Sequence, residues 1–142
     1  MTNPEAIWRT SYQHPTDWDQ SMVPLSLPDM FLASVAKMGT APMLDFLGRR
    51  YSYAQTAEAA ARVATGLLQR GIKPGDRVGL FLPNVPHYVA AYYGALAMGA
   101  VIVNYSPLYT VDELAAQVAD SGTTTLITLS AAALLPTALK VM

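Results

Sequence analysis

An anion would suit Ser121-Gly122-Thr123-Thr124, where a flexible glycine sits among hydroxyl side chains. A phosphate-binding loop continues with more glycine and a lysine that supplies charge. Here the chain continues as Thr125-Leu126-Ile127-Thr128, a strand pattern, so the preferred reading is a helix stop feeding β-branched residues. The paired glycines of Gly71-Ile72-Lys73-Pro74-Gly75 and Gly75-Asp76-Arg77-Val78-Gly79 match neither nucleotide-loop spacing. They also precede a strand rather than follow one, so the helix N-terminus that would hold a pyrophosphate is missing.

His14 and His87 stand far apart, and neither has a histidine or carboxylate at metal-ligand spacing. Asp112 and Glu113 form a carboxylate pair at the head of an expected helix, where capping and the helix dipole give them a sufficient role. Ser106-Pro107-Leu108-Tyr109-Thr110 follows the carboxyl end of an expected parallel strand, the edge where open α/β sheets bind ligands. Even there, a loop leading into the next capped helix is the preferred reading. No catalytic, cofactor-binding or metal-binding residue is assigned.

Composition narrows the function further. The chain has 142 residues, one domain's worth, and is 52% hydrophobic but only 13% charged. Ordinary domains carry roughly 25% charged residues, so part of this surface is expected to be covered by something else. The net charge of −1 and scattered basic residues argue against nucleic acid as a partner. With no cysteine, disulfides, thiol catalysis and cysteine-ligated zinc are excluded, and a reducing compartment fits. The N-terminal residues carry no basic region followed by an apolar core, so no secretory signal is expected. The stretch Tyr88 to Val103 is apolar or small, but Pro83 and Pro86 on one side and Gly99 on the other interrupt it. A membrane span needs about 20 apolar residues in one helix, so this stretch reads as buried α/β packing.

Stepping along the chain, residues 1–25 hold Trp8, Tyr12, Trp18 and three prolines with neither helical nor alternating period. They read as an extended N-terminal arm. Ser26, Pro28 and Asp29 start a helix that runs to about Met38, with Gly39 as its left-handed stop. Met43 to Ser52 gives two short strands around a glycine turn. Ser52 and Gln55 form a capping box for a helix whose apolar stripe is Ala57, Ala60, Ala61, Ala64, Leu67 and Leu68. Its alanines let it approach the sheet closely. Lys73-Pro74-Gly75-Asp76 is a type II turn into the apolar strand Arg77–Leu82. A helix started by Pro83-Asn84-Val85-Pro86 and reaching about Met98, a strand from Ala100 to Val103, a capped helix ending at Ser121-Gly122 and a strand from Thr124 to Leu129 follow. Another helical segment begins near Pro136. The result is α/β, with a parallel sheet joined by βαβαβ crossovers. The helices look too few to cover both sheet faces, and Tyr92, Tyr93 and Leu96 are expected to meet parts outside the chain.

From about Ser26 onward the chain resembles the N-terminal part of the adenylate-forming (AMP-binding) enzymes, most of all the long-chain fatty-acid–CoA ligases. The matching residues are Lys73-Pro74-Gly75-Asp76-Arg77-Val78, Leu82-Pro83-Asn84, Gly94-Ala95-Leu96-Ala97-Met98-Gly99-Ala100, Val103-Asn104 and Pro107-Leu108-Tyr109-Thr110. Glu113-Leu114, Gln117 and Asp120-Ser121-Gly122 extend the match, whose order and spacing are specific. Ser106 departs from the asparagine common there. The resemblance implies that residues 26–142 are a partial α/β subdomain of an AMP-binding domain, part of the large N-terminal domain of an acyl-CoA synthetase-like fold. It also implies ATP-dependent conversion of a fatty acid to acyl-adenylate and then acyl-CoA, with Mg²⁺ and coenzyme A.

In that family the phosphate loop, the acid-pocket residues and a mobile C-terminal lysine lie downstream of the matched region. Lys37, Lys73 and Lys140 do not occupy the catalytic position. The expectation is therefore a segment that binds no cofactor and is catalytically incomplete alone, with fatty acid, ATP, CoA and the missing C-terminal parts as partners of the whole enzyme. Exposed apolar surface would let it form a homodimer or self-associate. A cytoplasmic location, at most peripheral to a membrane, is expected. The alternatives are a non-enzymatic flavodoxin-like α/β binding module, with Pro107 to Thr110 lining its ligand edge, or an adenylate-forming ligase for an aryl or short-chain acid.

Overall fold

The computed structural model describes residues 4–142, and regular structure begins at once with helix α1 (Pro4–Ser11). This corrects the reading of residues 1–25 as extended arm, of which residues 1–3 lie outside the described residues. The helix escapes a search for periodicity because its described side chains bury no apolar stripe: Ile7 and Trp8 are both mostly exposed. A helix this short is marginal alone. It is closed instead by a bidentate pair, Arg9 Nη1 and Nη2 to the Asp19 carboxylate at 2.7 Å each, and by Trp18 edge-on to Tyr12. Residues 12–26 form no further helix or strand.

Helix α2 (Leu27–Met38) starts as expected, with Ser26 Oγ accepting from Asp29 N at 3.2 Å. Its stop differs. Gly39 is right-handed (φ −39°), and the chain turns because Ala41 N bonds Met38 O while Gly39 O accepts from Ala54 N. Strands β1 (Pro42–Phe46) and β2 (Arg49–Ser52) form an antiparallel hairpin. Its turn has positive φ at both Leu47 (52°) and Gly48 (78°), the pattern of a primed hairpin turn. Ser52 and Gln55 then make both arms of the capping box that opens α3 (Tyr53–Gln69). The buried side of α3 is Thr56, Ala60 and Leu67, with Val63 and Ala64 half-buried. Ala61 and Leu68, expected in the stripe, face water.

Gly71 (φ 84°) ends α3, and the Lys73–Asp76 turn, with Gly75 at φ 88°, delivers the chain into β3 (Arg77–Phe81). Helix α4 (Pro86–Ala97) leads to β4 (Val101–Tyr105), and α5 (Val111–Ser121) leads to β5 (Thr125–Thr128). Helix α6 (Leu134–Val141) closes the described chain, with Pro136 in its first turn. The sheet is parallel in the order β4-β3-β5, Gly79 lying opposite Val103 and Leu126. The chain steps from β3 to β4 in one direction and then crosses back to β5, so right-handed connections put α4 and α5 on opposite faces.

Both faces are therefore covered, contrary to the expectation of too few helices. Leu67, Val78, Leu80, Leu82, Ala91 and Ala95 pack under α3 and α4, while Phe81, Tyr105, Leu114, Leu134 and Ala138 pack under α5 and α6. Strand order decides this coverage, and local pattern does not carry strand order. Likewise Tyr93 is not left waiting for an outside partner: Phe31 of α2 stacks on it at 4.1 Å. The close approach promised by the alanines of α3 is made to α4 rather than to the sheet. A Cβ on Gly94 would stand 2.4 Å from Ala60 O and 2.9 Å from Val63 Cβ. Among the described residues, no helix is long and apolar enough to cross a membrane.

Two stability changes follow from this geometry. Gly94→Ala should cost roughly 1–3 kcal/mol in chemical denaturation, because the obstructing atom is backbone and the helices must separate. Leu47→Asn should raise stability by about 0.5–1 kcal/mol, because asparagine tolerates the left-handed conformation that leucine adopts under strain. An unchanged midpoint for both variants would contradict this account of the packing and the turn.

Candidate functional site

Ligands of open α/β sheets bind beyond the carboxyl ends of the strands, here the exits of β3, β4 and β5. At the β3 exit Val85 N bonds Pro83 O, and α4 starts at Val85 without a side-chain cap. One turn on, the Tyr88 hydroxyl donates to Asn104 Oδ1 at 2.8 Å and ties the start of α4 to the end of β4. Burial raises the Tyr88 pKa above its ordinary value, and the neighbouring Tyr92 adds to the effect, so the phenol stays a neutral donor. With Leu44, Asp45, Phe46, Asn84, Val85, Pro86 and Val89, Tyr88 lines an open, mostly apolar groove of about 220 Å³.

The loop after β4 is closed on itself. Ser106 Oγ accepts from Leu108 N at 3.3 Å, and Ser106 O accepts from Tyr109 N at 3.1 Å. Thr110 N donates to Glu113 Oε2 at 2.9 Å, and Glu113 N returns a bond to Thr110 Oγ1 at 3.3 Å. Three successive amides are thus engaged within the loop, and none is free to cradle a phosphate. Leu108 projects into solvent, and Tyr109 packs on the cluster under α5 and α6.

The hydroxyl-rich segment at Ser121 also has a structural role. Gly122 is the left-handed cap of α5 (φ 64°), and Thr123 is buried. The Tyr105 hydroxyl lies 2.7 Å from Ser121 Oγ and 2.5 Å from Thr123 Oγ1, which are 3.0 Å from each other. This triangle satisfies all three groups. Tyr105 lies past the expected end of its strand at Val103, and its importance has one signal in the sequence: a lone glycine inside an apolar strand. A Cβ on Gly79 would stand 2.4 Å from the Tyr105 ring, so the ring occupies the space that Gly79 leaves open.

The remaining candidates are not brought together. His14 Nδ1 accepts from Thr16 N at 3.2 Å in the N-terminal segment, and His87 is exposed in the first turn of α4. Asp112 and Glu113 act at the head of α5, where hydrogen bonds from Thr110, backbone first and then side chain, lower the Glu113 pKa. Lys37, Lys73 and Lys140 are exposed on separate elements. No group of three or more His, Cys, Asp or Glu that could hold a metal ion occurs among the described residues. At the carboxyl edge the described bonds close the loop after β4 and tie α4 to β4.

The AMP-binding enzyme family model matches residues 31–141, most of the chain. The chain belongs to the AMP-binding enzyme family. It is 36% identical to a long-chain-fatty-acid–CoA ligase of Escherichia coli O6:H1 over 128 residues, covering 87% of this chain and 22% of the ligase. It is 31% identical to the enzyme of that name in Bacillus subtilis (strain 168) over 133 residues, covering 94% of this chain and 23% of the relative. The chain thus spans less than a quarter of the length of these relatives. The N-terminal domain of FACL13 from Mycobacterium tuberculosis superposes with a TM-score of 0.74 at 27% identity, over 81% of this chain and 29% of that one. Family membership overturns the reading as a flavodoxin-like module.

Two measurements test the structural roles assigned here. Tyr105→Phe should lower stability by about 1–2 kcal/mol, because Ser121 and Thr123 lose their shared partner inside the protein. Glu113 has a folded pKa below its ordinary 4.5, so its contribution is complete above that value and is lost as pH falls through the lower folded value. The stability difference between the protein and Glu113→Gln should therefore shrink as pH drops from neutral into the acid range. A difference that stays constant across that range would contradict the charge-assisted cap.

Proposed function

We propose that this chain is the N-terminal portion of an ATP-dependent fatty-acid–CoA ligase, acting in the cytoplasm in fatty acid metabolism, and that it is catalytically incomplete alone. The observation that carries the reading is the match, over 87% and 94% of the chain, to relatives named as long-chain-fatty-acid–CoA ligases. In the reaction, a carboxylate oxygen attacks the α-phosphorus of ATP, and the bond to pyrophosphate breaks. The thiol of coenzyme A then attacks the acyl carbon and AMP departs. Neutralising phosphate charge and shielding the adenylate from water are the physical demands of these steps. The loop after β4 and the glycine segments are engaged in turns and caps, which supports assigning these duties to other parts of the enzyme. ATP, Mg²⁺ and coenzyme A therefore belong to the whole enzyme, and this chain supplies the scaffold.

A chimera tests the assignment. Residues 26–142, placed in the Escherichia coli relative in exchange for its matching segment, should preserve fatty-acid-dependent ATP–pyrophosphate exchange and acyl-CoA formation. The 142-residue chain alone should show no exchange. Exchange by the isolated chain, or a folded chimera that supports no exchange, would contradict the proposal. The isolated chain should also self-associate and bind hydrophobic dyes, since Met22 and Val23 are 92% and 85% exposed. A monodisperse, dye-silent monomer would count against that partner surface.

A further inference from the structure

We draw no further inference here: the strongest candidate, the exposed apolar side chains of the N-terminal segment ahead of α2 (Ile7, Trp8, Trp18, Met22 and Val23), carries nothing because nothing in the structure shows what covers it.

Discussion

The burial of β3 on both faces is the constraint from which the rest of the architecture follows. Val78 and Leu80 have no exposed surface and Phe81 only 1%, so this strand must have a neighbour on each edge and helices on each side. Its alternation divides the core in two. Val78, Leu80 and Leu82 face α3 and α4, while Phe81 joins the cluster under α5 and α6. Gly79, also on that second side, leaves the gap that the Tyr105 ring fills. A side chain at position 79 would displace that ring, and with it the hydroxyl triangle that secures the end of α5.

From this centre outward, polar groups that could serve chemistry are engaged in holding elements together. The Thr110–Glu113 box anchors the loop after β4, Tyr88 and Asn104 join α4 to β4, and Thr128 Oγ1 bonds Phe81 O across the sheet. No buried side-chain polar atom among the described residues lacks a hydrogen-bond partner.

Features set by a few adjacent residues were legible in the sequence. Both capping boxes, the Pro74-Gly75 turn and the left-handed Gly122 depend on contacts within about one turn of chain, and all stand where the residues indicate. Features set by distant partners were not. Helix α1 is held by Asp19, ten residues beyond Arg9, and offers no buried stripe to detect. Gly39 need not turn left-handed, because Ala54 on the following helix takes its carbonyl. Leu47 occupies a conformation that its residue type gives no reason to expect. The close contact of α3 with α4, rather than with the sheet, depends on an oxygen of Ala60 meeting a glycine 34 residues away. The family was legible because its blocks are ordered along the chain.

Isothermal titration of the 142-residue chain with ATP and Mg²⁺ tests most directly whether this is scaffold without machinery. The account predicts no saturable heat, because the Leu108, Tyr109 and Thr110 amides are already bonded within the loop after β4. A saturable one-to-one isotherm that competes with AMP would show a nucleotide site within these residues and would contradict it.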